Sequence, residues 1–249
     1  MNYKSIIIIA GEPYSIFFEI FFKIFKSNFY KKYKYPIILI GSKNLLEMQM
    51  KKMNFSFEIN LIKKEDIKNI IINNKKINLI DVKLNFKKPF GKISSRSSKY
   101  IKECFNIGLN IMKNKIGLAL INGPISKKHF FAGKFDGITE YLAHKTKEKN
   151  NEVMLIYNKS LSVSPMTTHV ALKDVSKRIS TNMIVQKIMT INKFYKDKLG
   201  KIPKFAITGL NPHCESNYNN SEEDKIIIPA IRITQQKKIK IKGPFAADT

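Results

Sequence analysis

Ser5-Ile6-Ile7-Ile8-Ile9-Ala10-Gly11-Glu12-Pro13, followed two residues later by Ile16-Phe17-Phe18-Glu19-Ile20-Phe21-Phe22-Lys23-Ile24-Phe25, decides the fold class. The first run is continuously apolar, β-branched and closed by Gly-Glu-Pro, which reads as a strand buried on both faces. The second places Phe17, Ile20, Phe21, Ile24 and Phe25 at helical spacing, with Glu19 and Lys23 opposite. Outward from this pair the alternation continues. Pro36 to Ile40 reads as a strand ended by Gly41, and Lys43 to Met53 as the next helix. Residues 55–88 hold one or two edge strands, and Ser97 to Met112 reads as a helix. Gly117 to Ile121, Glu152 to Tyr157 and Lys204 to Thr208 read as strands; Ser180 to Tyr195 and Glu222 to Thr234 read as helices. Strands alternating with helices predict an α/β protein on a largely parallel sheet flanked by helices.

The chain has 249 residues, enough for one large α/β domain or two small ones. At 43% hydrophobic and 26% charged it has the composition of a globular protein. The charge is unusual: 45 basic against 19 acidic residues give +26. That balance suggests nucleic acid or an anionic surface. Yet only Arg96, Arg178 and Arg232 are arginines, and the lysines are scattered among isoleucines and asparagines. The side chain suited to bidentate phosphate and base contacts is the scarce one. The excess therefore reads as compositional bias on solvated faces, with no specific nucleic-acid partner expected. Cys104 and Cys214 are far apart, so no disulfide framework or cysteine metal site is suggested. The apolar stretch near the start is broken by Glu12, Pro13, Glu19 and Lys23, so no membrane span is expected and the chain reads as cytoplasmic.

Polar motifs cluster where strands are expected to end. Leu118 to Ile121 runs into Asn122-Gly123-Pro124-Ile125-Ser126-Lys127, and Phe205 to Thr208 runs into Gly209-Leu210-Asn211-Pro212-His213. The chain after the Glu152 segment reaches Thr167-Thr168-His169. In open α/β sheets ligands sit beyond the carboxyl ends of strands, and these three motifs are expected to share that edge. His169 and His213 have the chemistry of a ligand pair for a borderline divalent cation, and equally that of hydrogen-bonded core or surface residues. His129 and His144, among lysines on expected helices, read as surface residues. Lys127 suits a phosphate or carboxylate, against a heavy background of other lysines. Thr139, after Gly137, suits a helix N-cap or a ligand contact. There is no Gly-x-Gly-x-x-Gly, no Walker A sequence and no Gly-x-Ser-x-Gly elbow.

Six fragments, taken together and in order, resemble one family. They are Ile9 to Pro13, Asn122 to Lys127, Gly137 to Ala143, Thr167 to Val175, Gly209 to His213 and Gly243-Pro244-Phe245-Ala246-Ala247-Asp248-Thr249. They are similar to the 4-hydroxythreonine-4-phosphate dehydrogenases of pyridoxal phosphate (vitamin B6) biosynthesis, across essentially the whole chain. The resemblance implies an isocitrate/isopropylmalate dehydrogenase-like α/β fold with two subdomains. It implies a homodimer with its active site between subunits, a divalent metal (Zn, Mg or Co) and NAD or NADP. It makes His169 and His213 metal ligands, Thr139 a substrate contact, and Lys127 and Asp248 catalytic residues. The implied reaction oxidises 4-phosphooxy-L-threonine to a β-keto acid that loses carbon dioxide to give 3-amino-2-oxopropyl phosphate. Threonate or erythronate 4-phosphate is the alternative substrate within the family, and nucleic-acid binding the alternative from another class.

Two departures accompany the resemblance. The family has a histidine where this chain has Ile138, which has no side-chain hydrogen-bond donor. The family also continues past the Ala-Asp-Thr motif into a segment with a third metal histidine and further lysine, asparagine and arginine contacts to substrate. Residues 1–249 are thus expected to be a single catalytic region, incomplete at the C-terminus.

Overall fold

The run Ser5–Ile9 forms strand β1, and every strand that joins it in the first sheet is parallel to it. The computed structural model describes residues 4–27, 35–68, 72, 74–148, 151–214 and 221–247. The chain divides into two compact units, Met1–Phe135 and Asp136–Thr249.

In the first unit β1 is followed by helix α1 (Phe17–Lys26), β2 (Ile37–Gly41), α2 (Lys43–Lys52), β3 (Ile59–Leu61), β4 (Ile77–Asp81), α3 (Ser98–Lys113) and β5 (Gly117–Asn122). The strand order is β3-β4-β2-β1-β5, all parallel. Of the two strands in residues 55–88, only β3 is an edge; β4 lies inside the sheet with Ile77, Leu79 and Ile80 buried. Helices cover both faces, because side chains alternate along a strand. Leu39, Ile77 and Leu79 pack with α1 and α2, while Ile9 meets Gly108 of α3.

The buried stripe of α1 differs from the expected one. Phe18, Phe21, Phe22 and Phe25 are inside, whereas Ile20 and Ile24 are exposed. The helix is apolar on both sides, so periodicity alone does not orient it. Burying four phenyl rings removes more apolar surface than burying the isoleucines, and the larger rings go inward. Glu19 and Lys23 do lie on the outer face, paired at 2.6 Å.

The second unit contains α4 (Ile138–Thr146), the short α5 (Val175–Arg178), α6 (Thr181–Leu199), β6 (Phe205–Thr208), α7 (Ile228–Gln236) and β7 (Ile241–Phe245). Strands β6 and β7 pair in parallel as a separate two-stranded sheet. Ile184, Val185 and Ile188 of α6 and Ala230 and Ile231 of α7 form its core with Ile227, Ile239 and Ile241. The expected helix from Glu222 starts with a widened turn, Glu223–Ile227, before becoming α-helical. Pro229, which has no N–H to donate, sits at that junction.

The expected strand Glu152 to Tyr157 joins neither sheet. It makes one antiparallel bridge, Ile156 to Val163, with hydrogen bonds of 2.8 and 3.0 Å. Thus the three polar motifs do not share one sheet edge. Asn122–Lys127 follows a strand of the first sheet, Gly209–His213 follows a strand of the second, and Thr167–His169 follows none. Lys51, Lys52, Lys102, Lys113, Lys193 and Lys196 are exposed on outer helix faces, as solvated lysines should be. Among the described residues no helix is long and apolar enough to cross a membrane.

Candidate functional site

Helix α4 begins at Gly137, whose extended backbone (φ −166°) supplies no side-chain cap. The first intrahelical bond runs from the N–H of Tyr141 to Gly137 O at 3.2 Å, so the N–H groups of Ile138, Thr139 and Glu140 precede the helical ladder. Thr139 is half-buried at this end, where donors and the helix dipole favour an anionic group. Ile138, also half-buried, adds an apolar side chain to the same turn.

His169 meets this helix end. A Cβ on Gly137 would lie 3.3 Å from Nε2 and Cδ2 of His169 and 2.8 Å from Oε2 of Glu140. A side chain at this position would crowd both the imidazole and the carboxylate. The Thr168 hydroxyl donates to Glu140 Oε1 at 3.0 Å, while Glu140 Oε2 is buried with no hydrogen-bond partner. Behind it, Lys187 Nζ donates to Met166 O at 2.9 Å. Burial pulls the Lys187 ammonium below its ordinary pKa, opposed by the carboxylates of Glu152 and Glu140. His169 itself is exposed and adopts φ 56°, a left-handed conformation that costs a non-glycine residue roughly 1–2 kcal/mol. Such strain concentrates where surrounding structure enforces a functional geometry.

A glutamate also anchors the segment that leads into His213. His213 lies in the Pro212–Cys214 turn after β6 with φ 57°, and Cys214 follows at φ 56°. Glu223, 2% exposed, accepts the N–H groups of Leu210 and Asn211 at 2.7 and 2.9 Å on Oε1. Its Oε2 accepts the Asn211 side-chain amide at 2.7 Å. Burial pushes this carboxyl up, but the donors from Asn211 and Leu210 outweigh it and hold Glu223 below the usual carboxylate value. Gly209 passes close beneath; a Cβ there would sit 3.0 Å from Glu223 Oε1.

Lys127 belongs to the first unit, exposed at the head of a single widened turn, Lys127–Phe131. Ser126 Oγ caps that turn, accepting the His129 N–H at 3.4 Å. His144 is exposed as expected, but His129 is half-buried and its charge acts on Glu12. Glu12, at the end of β1, is 3% exposed. Its Oε1 accepts from Ser97 Oγ at 2.7 Å and its Oε2 has no partner. Asp248 lies outside the described residues.

The structure therefore gathers His169, Thr139 and Glu140 around Gly137, and places His213 in the same unit, two residues after the Asn211 that Glu223 anchors. Among the described residues no three His, Cys, Asp or Glu side chains form a group able to hold a metal ion alone. By residue type each of the two imidazoles suits a borderline divalent cation, and near His169 a buried carboxylate oxygen has no hydrogen-bond partner. The sequence signals Glu140, Glu223 and Lys187 only faintly: Glu140 stands inside the Gly137–Ala143 motif, Glu223 in the acidic run Ser221-Glu222-Glu223-Asp224, and Lys187 is lost among lysines.

The family model described as pyridoxal phosphate biosynthetic protein PdxA matches residues 32–249. The 4-hydroxythreonine-4-phosphate dehydrogenase of Sulfurihydrogenibium sp. (strain YO3AOP1) is 34% identical over 248 residues, covering 97% of this chain and 74% of that protein. The enzyme of the same name from Wigglesworthia glossinidia brevipalpis is 30% identical, covering 99% of this chain and 74% of its own length. Crystal structures of 4-hydroxythreonine-4-phosphate dehydrogenases are similar throughout. Those from Burkholderia phymatum and Klebsiella pneumoniae are each 25% identical with TM-scores of 0.80, covering 100% and 99% of this chain and 76% of their own.

Proposed function

This chain belongs to the pyridoxal phosphate biosynthetic protein PdxA family, and from that premise we propose that it is an NAD(P)-dependent, divalent-metal-dependent dehydrogenase of 4-phosphooxy-L-threonine. The product is a β-keto acid that decarboxylates to 3-amino-2-oxopropyl phosphate, a precursor for pyridoxal 5′-phosphate. Residues 1–249 act in it as one catalytic region, in a cytoplasmic homodimer.

The observation that carries this reading is the meeting of His169 and the N-terminal turn of α4 above Gly137. In this reading His169 and His213 hold the cation. A bound cation would lower the pKa of the substrate's C3 hydroxyl, which gives up its proton while its carbon gives up hydride to the nicotinamide. The Thr139 hydroxyl and the free N–H groups of the turn bind an anionic or polar end of the substrate. Lys127 contributes a cation to an anionic group, and Asp248 a carboxylate near the reacting centre. Ile138 offers no hydrogen bond, so recognition at this turn falls to Thr139 and the backbone.

The test is reduction of NAD or NADP by the purified chain with 4-phosphooxy-L-threonine, and separately with threonate and erythronate 4-phosphates, with Zn, Mg or Co added. Little or no turnover by residues 1–249 alone is expected, with cation binding weakened by His169→Ala or His213→Ala, and any turnover is expected on the first substrate and abolished by chelator. Cation binding that survives both substitutions, or a preference for the sugar-acid phosphates, would overturn the ligand assignment or the substrate respectively.

A further inference from the structure

The Ser97 hydroxyl has one proton and two acceptors. Its Oγ lies 2.7 Å from Glu12 Oε1 and 2.8 Å from Ser94 O, which also takes the Ser97 N–H at 3.3 Å. With Glu12 ionised, one of the two short O···O contacts has no proton in it and is repulsive, and a charged carboxylate is buried with its Oε2 unpartnered. One more proton completes the set. Glu12 then donates to Ser97 Oγ, Ser97 donates on to Ser94 O, and the oxygen left over belongs to a neutral group, whose burial costs less.

These residues join two segments of the first unit. Glu12 follows β1, with its N–H on Pro124 O at 2.9 Å, and Ser94 and Ser97 close the segment that leads from β4 to α3. The other end of that segment is pinned by the buried Gln49 of α2, whose amide donates to Pro89 O at 2.6 Å and to Pro13 O at 3.1 Å. Between the two pins Phe90 and Ile93 are exposed, and Gly91 packs so closely on the Tyr14 ring that a Cβ there would lie 3.2 Å from it. Residues 89–97 thus form a strap past the carboxyl end of β1, the edge of an α/β sheet at which ligands sit. Of the charged groups on the neighbouring elements, Lys92, Arg96, Lys99, Lys127 and Lys128 are exposed, and the half-buried His129 has a charge that acts on Glu12.

We propose that residues 89–97 are a proton-controlled strap: the proton on Glu12 fastens its Ser97 end to the β1–α1 loop, and loss of that proton releases this end while Gln49 keeps the other. Burial raises the Glu12 carboxyl above its ordinary 4.5 while the strap is closed. Closure therefore binds a proton. It weakens about tenfold per pH unit from 4.5 up to the value in the closed form, and then levels off.

The test is hydrogen exchange of the whole chain, read by mass spectrometry on peptides spanning residues 89–97 and corrected for the intrinsic rate at each pH. Exchange there is expected to quicken as pH climbs from 4.5 towards neutrality and then to level off, while peptides from β1 stay protected and report that the unit is folded. Glu12→Gln keeps a donor for Ser97 Oγ at every pH and is expected to hold slow exchange across the range. Ser97→Ala cuts the chain of hydrogen bonds and is expected to exchange fast already at pH 4.5. His129→Gln removes a charge that favours ionised Glu12 and is expected to carry the rise to higher pH. Strap exchange that does not change with pH in the wild type, or that rises in folded Glu12→Gln as it does in the wild type, overturns the proposal. So does a rise that disappears in His129→Gln, which would place the switch on the imidazole.

Discussion

Asn211 and Glu223 are joined twice: the Asn211 backbone N–H donates to Oε1 at 2.9 Å and its side-chain amide donates to Oε2 at 2.7 Å. With the Leu210 N–H also on Oε1 at 2.7 Å, one buried carboxylate fixes the turn that ends in His213. The left-handed backbone of His213 and Cys214 is strained on its own, and this anchor holds it.

Replacing Glu223 with Gln should therefore cost more than a surface substitution. The amide cannot accept on both sides, and one of the Asn211 donors is left facing an NH2. Hydrogen bonds to charged groups are worth about 1.5–3 kcal/mol each, so a loss of roughly 2–4 kcal/mol is expected. Urea unfolding at neutral pH measures it; an unchanged midpoint would show that the turn does not depend on this carboxylate. Because burial is outweighed by hydrogen bonds, the folded Glu223 pKa lies below 4.5. Its stabilisation is present above pH 4.5 and is lost as pH falls through the folded value.

Glu12 has the opposite sign. Burial raises its carboxyl above the ordinary 4.5, while the Ser97 hydroxyl and the charge of His129 pull it down without prevailing. A raised carboxyl favours folding most when protonated, so its contribution is full below pH 4.5 and declines as pH rises through the folded value. Glu12→Gln should remove that decline. The stability difference between variant and wild type is expected to move in favour of the variant as pH climbs from 4.5 towards neutrality. Parallel stability curves for the two proteins across that range would contradict it.

The cysteines should differ in reactivity. Cys104 is fully buried in α3, and burial pushes its thiol up to about 12. Cys214 is half-buried, next to His213. Since the thiolate is the nucleophile, Cys104 should resist alkylation in the folded chain while Cys214 is modified. If His213 binds a cation, adding Co2+ should slow modification of Cys214. Equal labelling of both thiols in folded protein would mean that α3 opens readily.

The strand and helix alternation of the first unit was legible in the sequence, because its central strands β1 and β2 are largely buried and read as nearly continuous runs of isoleucine. Ser5–Ile9 and Ile37–Gly41 are nearly the expected strands. Glu152 to Tyr157 has the same composition, yet it finds only the Val163 bridge. A strand needs a partner as well as a pattern, and the partner is not local. In α1 the Glu19 and Lys23 pair marks the outer face, but which of the phenylalanines and isoleucines flanking it turn inward was decided by packing.

Within the candidate site, the sequence by itself determined which residues are chemically able to act. Imidazoles at His169 and His213, a hydroxyl at Thr139 and glycines at the turns are properties of residue type and order. Tertiary structure alone decided what stands behind them. Glu140 is 29 positions from His169 in the chain and meets it only because α4 packs its first turn against that loop. Glu223 reaches Leu210 and Asn211 because the start of the α7 region folds back onto the end of β6. Among 19 acidic residues, the burial of Glu223 and the donors gathered around it set it apart, and neither is a property of the residue's own neighbours in the chain.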